Sequence, residues 1–172
     1  MKHSVLLDTS FFIRLLNDND PLHNNAVGYF KYFLEKEIVL KVSTISIAEY
    51  CVIGKLDDLP LRNIQIVPFN LNHAKKTGEF AKIIFDQNKI NQEKLTPRAI
   101  IPNDSKLFAQ ADVDETITHF ITSDDRSKKT LILLKKEVNP KFDIISIKNP
   151  FTEVFGILVN ITINFGKKCV MN

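Results

Sequence analysis

Four acidic residues hold comparable places along this 172-residue chain: Asp8 after Val5-Leu6-Leu7, Glu49 in Ser43-x-x-Ser46-x-x-Glu49, Asp104 after Pro102-Asn103, and Asp124 after an apolar run ending at Ser123. Each stands where a strand-like run has just ended or a helix-like segment is starting, and Asp8 is the first candidate for a working residue. Each also has an ordinary structural job open to it. Asp8, Asp104 and the Asp124-Asp125 pair suit helix N-caps, and Ser46 with Glu49 fits the S-x-x-E capping box. Brought together, they are a different matter. Two unit charges ~5 Å apart at an effective dielectric of ~20 repel by roughly 3 kcal/mol, so four bare carboxylates cost on the order of 10 to 20 kcal/mol. Protons or cations must then neutralise them. Hard oxygen ligands with no Cys or His among them point to Mg²⁺ or Mn²⁺ rather than zinc. Such ions, paired about 3.5 to 4 Å apart, ready a water and stabilise the leaving oxygen of a phosphodiester, which describes a nuclease-like site.

The elements that must position these acids read as an alternation. Residues 5–7 form a short strand, residues 10–16 a short helix, and Asn17-Asp18-Asn19-Asp20-Pro21 a turn cluster. Leu22, Ala26, Tyr29, Phe30 and Phe33 recur at helical steps, with Pro21 suited to the first turn. Residues 38–42 predict a strand, 43–53 a helix carrying Glu49, 64–69 a strand, and 71–85 a helix with Leu71, Ala74, Ala81, Ile84 and Phe85 on one stripe. Residues 86–102, polar and with Pro97 and Pro102, read as a loop or a broken helical excursion. Then come helix 103–111, strand 117–123, helix 126–136 and strand 142–147. Strands alternating with helices predict a single-domain α/β fold, a parallel five-stranded sheet flanked by helices on both faces. The acids would then lie along its carboxyl edge, where open α/β sheets bind ligands. After this unit, residues 1–150, the tail 151–172 contains a strict alternation over residues 159–165 and suits an extra edge strand or a dimer contact.

Composition sets outer bounds. With 44% apolar and 25% charged residues the chain is ordinary globular material, and +3 net charge permits contact with a polyanion without requiring it. Two cysteines in no metal-binding spacing, three apolar residues before Asp8 and no long apolar run lead to the expectation of a cytoplasmic protein with no membrane span.

Leu6-Leu7-Asp8-Thr9-Ser10, Ser43-x-x-Ser46-x-x-Glu49, Asp104-x-x-Leu107-x-Ala109-x-Ala111 and Thr122-x-Asp124 resemble, in order, the four signature blocks of the PIN-domain ribonucleases, over residues 4 to about 147. The resemblance implies a Mg²⁺- or Mn²⁺-dependent endonuclease acting on single-stranded RNA. It also implies kinship with small bacterial toxins of toxin–antitoxin pairs, usually dimeric and blocked by an antitoxin peptide. Asp8, Glu49, Asp104 and Asp124 match the metal-binding catalytic acids, and Thr9 and Thr122 match supporting hydroxyls. Asp125 leaves the fourth acid open by one residue, and Arg126-Ser127 departs from the acidic-aromatic continuation of many members.

Arg126, directly after the acidic pair, and Arg14, about two helical turns past Asp8, are candidate RNA-phosphate ligands. Lys128, Lys129, Lys135 and Lys136 fit a solvated helix face better than a phosphate-binding one, and His3, His23, His73 and His119 show no paired spacing. The aromatic run Phe11, Phe12, Tyr29, Phe30, Tyr32 and Phe33 suits a core or a dimer interface. Two other readings compete. The same fold can serve as a catalytically weak binding or regulatory module. A phosphatase of the D-x-D type is disfavoured because Ser10 stands where its second Asp belongs.

Overall fold

The computed structural model describes residues 3–90 and 103–156. Five strands make one sheet: β1 (Ser4–Leu7), β2 (Val39–Ser43), β3 (Ile64–Val67), β4 (Ile117–Thr122) and β5 (Asp143–Ser146). Their order is β3-β2-β1-β4-β5 and every neighbouring pair is parallel. Among the described residues the α-helices are α1 (Thr9–Leu15), α2 (His23–Glu35), α3 (Thr44–Tyr50), α4 (Leu71–Ile90), α5 (Asn103–Val113), α6 (Asp125–Leu134) and the short α7 (Phe151–Val154). The expected α/β architecture is therefore the one that forms.

Side chains alternate across a strand, so a buried strand must feed two cores at once. Val5 and Leu7 of β1 join Phe11, Phe12, Tyr29, Phe33, Val42 and Ile121 on one face. Leu6 joins Phe80, Leu107, Phe108, Phe120 and Phe142 on the other. This explains why the run before Asp8 is apolar without a break: all four β1 residues are buried. From β1 the chain steps outward to β2 and β3, then returns across the sheet to β4. The reversal puts a topological switch point between the carboxyl ends of β1 and β4.

Several expectations change in detail. On α4 the buried face is His73, Thr77, Phe80, Ala81 and Ile84, while Leu71 is 84% exposed. Polar side chains replace apolar ones there because they satisfy one another locally. The Asn70 N–H donates to His73 Nδ1 and the His73 N–H to Asn70 Oδ1, each at 3.1 Å, and Thr77 Oγ1 donates to the His73 carbonyl at 2.8 Å. The expected loop or broken helix after residue 85 is helical through Ile90; residues 91–102 lie outside the described residues, as does the alternating stretch 159–165. The helix expected over 43–53 ends at Tyr50. Residues 151–156, read as part of a tail, place Phe151 and Phe155 against Tyr29 and Tyr32, with Tyr32 and Phe155 stacked 4.4 Å apart. In β2, Lys41 is buried and donates to Asp114 Oδ2 at 2.5 Å and Thr116 Oγ1 at 2.7 Å, so the ammonium is not left uncompensated. No helix among the described residues is long and apolar enough to cross a membrane.

Phe120 is fully buried in β4 and meets Phe108 edge-on with ring centroids 5.2 Å apart. Phe120→Ala removes that packing directly beneath the strand end that leads to Asp124, and is expected to cost about 3 to 5 kcal/mol of stability, measured by urea unfolding.

Candidate active site at the carboxyl edge of the sheet

Asp8 is the first residue past β1. It occupies the N-cap position of α1, yet its side chain makes no capping bond. Instead Oδ2 accepts from Ser10 Oγ at 2.6 Å and from Thr122 Oγ1 at 2.8 Å. Both hydroxyls also accept backbone donors from the loop after β4: the Ser123 N–H reaches Ser10 Oγ and the Asp124 N–H reaches Thr122 Oγ1, each at 3.0 Å. The two strand ends at the switch point are thus tied together through one carboxylate.

Glu49 lies in the last turn of α3, and its Oε2 accepts from Thr9 Oγ1. The capping box with Ser46 does not form. Ser43 is the N-cap, accepting from the Ile45 N–H at 3.0 Å, and the Ser46 hydroxyl is buried with no hydrogen-bond partner among the described residues. Asp104 sits in the first turn of α5, where its Oδ2 accepts from the fully buried Ser127 Oγ at 3.1 Å. Asp124 does cap its helix: Oδ1 accepts from the Arg126 N–H at 2.9 Å, and the Arg126 guanidinium donates to Oδ2 from Nη2 at 2.9 Å and Nε at 3.0 Å. Asp125, the alternative fourth acid, is exposed and pairs with Lys148. Of the two phosphate candidates, Arg126 stands beside Asp124 with its side chain 85% exposed. Arg14 pairs with Asp20, whose other oxygen accepts from the Leu22 N–H at 2.8 Å, so Arg14 braces the turn between α1 and α2.

Comparison with known proteins bears on the architecture. No family model and no curated protein matches the sequence. Among solved structures, VapC20 of Mycobacterium tuberculosis, a toxin that cleaves the sarcin-ricin loop, is similar with a TM-score of 0.50 and 16% identity, over 73% of this chain and 94% of that one. DNA-bound VapBC from Salmonella typhimurium is similar with a TM-score of 0.51 and 15% identity, over 84% of this chain and 98% of that one. The chain has the PIN-domain fold.

In this PIN fold the Glu49 charge bears on Asp8, and the charges of Asp8 and Asp124 bear on Asp104. Burial pushes the Asp8 carboxyl up, bonds from Ser10 and Thr122 oppose it, and the Glu49 charge adds to the rise. Each hydroxyl bond to a charge is worth about 1.5 to 3 kcal/mol, whereas desolvating a carboxylate costs several, so burial wins. Asp104 is pushed up to about 6, first by burial and then by the Asp8 charge, with Ser127 opposing and Asp124 contributing. Asp124 moves the other way: burial raises it, but the Arg126 bonds and the charges of Arg126 and Lys148 outweigh that and hold it below the usual range.

The donor set is all oxygen, and the rise that burial and the Asp8 charge impose on Asp104 is of the kind a divalent cation relieves, so the chemistry of these residues fits Mg²⁺ or Mn²⁺. Among the described residues, no three His, Cys, Asp or Glu side chains gather closely enough to hold a metal ion. The carboxylates turn toward hydroxyls instead: Thr9, Ser10, Thr122 and Ser127. The sequence motifs assign no supporting role to Ser10 or Ser127, which the structure sets against Asp8 and Asp104. The signal for Ser127 was its place three residues after Asp124, where a helix N-terminus turns its side chain inward.

An acid whose pKa is raised on folding holds its extra proton in the folded state, so its stabilisation is present at low pH and lost as pH rises through the folded value. For Asp104 that window runs from 3.8 to about 6. In EDTA, stability should therefore fall between pH 5 and 7.5 by about 1.4 kcal/mol from this group. Asp104→Asn should remove this fall and melt higher than wild type at pH 7.5, as read by calorimetric scans across pH.

Proposed function

We propose that this protein is a metal-dependent endoribonuclease that cleaves single-stranded RNA, with Asp8, Glu49, Asp104 and Asp124 as the catalytic acids. The observation that carries the reading is the electrostatic coupling of Asp8 and Asp104, brought to one sheet edge from positions 96 residues apart. Mg²⁺ or Mn²⁺, when bound by these acids, supplies charge neutralisation and an activated water for phosphodiester hydrolysis. The chain's own contribution is orientation. Ser10 and Thr122 fix the rotamer of Asp8, Thr9 holds Glu49 toward α1, Ser127 holds Asp104, and Asp124 anchors the Arg126 guanidinium at the rim. Arg126 is there placed to meet a phosphate. Arg14 acts indirectly, by bracing the turn that follows α1. The likeness in fold to VapC20 and VapBC supports extending the reading to the toxin of a toxin–antitoxin pair, cytoplasmic and homodimeric, with an antitoxin protein as partner and residues 151–172 contributing to the dimer contact.

The test is direct. Wild type should cut an unstructured RNA in Mn²⁺, and Asp8→Asn should lose at least about a hundredfold in rate while keeping its circular dichroism spectrum. Equal rates for the two proteins contradict the proposal.

The spacing of the acids favours one second reading, a catalytically weak PIN-like binding or regulatory module. Mn²⁺ separates the two. At a hundred times its dissociation constant a bound ion adds about 2.7 kcal/mol, which in a chain of this size raises the melting temperature by about 5 to 10 °C. A flat response to Mn²⁺ supports the module.

A further inference from the structure

Beyond β5 the chain passes through Ile147, Lys148 and Asn149, and three successive carbonyls there are held by side chains of α2. Asn25 Nδ2 donates to the Ile147 carbonyl at 2.9 Å and the Lys148 carbonyl at 3.3 Å. Tyr29 Oη, on a fully buried ring, donates to the Asn149 carbonyl at 2.9 Å. Surface connections normally leave such carbonyls to water and move accordingly. Here the backbone that carries Lys148 is fixed to the core, at the same carboxyl edge of the sheet as Asp8 and Asp124.

The ammonium group of Lys148 pairs with Asp125, and its charge reaches Asp124. Arg126 and Lys148 are the two cations whose charges bear on Asp124. Their side chains face solvent, with Lys148 44% and Asp125 61% exposed. Exposed pairs of this kind are worth about 0 to 1 kcal/mol, so an incoming phosphate readily replaces the carboxylate partner. An edge that collects acids repels a polyanion, and cations fixed beside those acids offset the repulsion where the strand must pass.

We propose that Lys148, held in place by Asn25 and Tyr29, forms with Arg126 a phosphate-binding rim that seats the backbone of single-stranded RNA against the acidic edge. The proposal rests on the endoribonuclease reading for its orientation, but its test uses binding apart from cleavage. Each phosphate neutralised adds about 0.7 to the magnitude of the salt exponent of single-strand binding, so losing one such contact costs about fivefold in affinity at 0.1 M salt.

The experiment measures fluorescence anisotropy of a labelled 20-nucleotide oligouridylate in EDTA, across a KCl series, with the full chain. Lys148→Gln should weaken binding about fivefold at 0.1 M salt and reduce the salt exponent by about 0.7, and Lys148→Arg should restore both. Asn25→Ala should weaken binding while leaving the salt exponent unchanged, because it frees the loop without removing a charge. Lys128→Gln and Lys129→Gln, on the outward face of α6, should stay within about twofold of wild type. Unchanged affinity and exponent in Lys148→Gln, equal losses in the α6 controls, or no RNA binding by wild type each overturn the rim. Cleavage in Mn²⁺ is followed separately. Wild type that binds through Lys148 yet never cuts overturns the nuclease reading alone, and wild type that cuts while Lys148→Gln keeps the same KM overturns the rim alone.

Discussion

The structure turns on one buried carboxylate. Asp8 ends a strand that is packed on both faces, and it is 7% exposed. Little of it meets bulk water, and its side chain does not cap the helix it precedes. Its charge is therefore met by two hydroxyls, one from α1 and one from β4, and each of those is pinned in turn by a backbone N–H of the loop after β4. Two neutral donors soften the desolvation of a carboxylate without cancelling it. The residue that joins the two halves of the sheet is thus also one that a nearby positive charge would relieve.

The rest of the fold can be understood as what holds that arrangement in place. A parallel sheet fixes all its carboxyl ends along one edge, and the reversal of strand order beside β1 makes that edge a topological switch point. Two separate apolar cores, one on each face, clamp the central strands, so Asp8 and Thr122 are set by Leu6, Leu7, Phe120 and Ile121 rather than by flexible loops. Glu49 and Asp104 arrive on helices, and the hydroxyls of Thr9 and Ser127 orient them. Asp124 has a full cationic partner in Arg126, and it is held below the usual range. Charge at this edge is graded, strained at Asp8 and Asp104 and relaxed at Asp124.

The sheet was legible in the sequence because β1 to β5 are short apolar runs between helical periods, and the PIN signature blocks put the acids at their ends. The choice between capping and chemistry was not legible residue by residue. Asp124 turned out to be a cap, whereas Asp8 and Glu49 are not, and only hydroxyls arriving from distant segments decide that. The polar face of α4 escaped because His73 and Thr77 are buried by bonds within their own helix, which an apolar stripe from Leu71 misses. The roles of Ser10, Ser127 and Lys148 depend on contacts across 23 to 113 residues, or on a loop locked by a distant helix, and short motifs carry no such information.

The central claim is that Asp8 and Asp104 form a strained acidic pair that a divalent cation relieves. Carboxyl carbon NMR of aspartate-labelled protein, titrated with and without Mg²⁺, measures this most directly. The account predicts that Asp104 titrates near 6 in the metal-free protein and falls by a unit or more, on the order of 1.4 kcal/mol, when Mg²⁺ is added. An Asp104 that titrates near 3.8 in both conditions would contradict it.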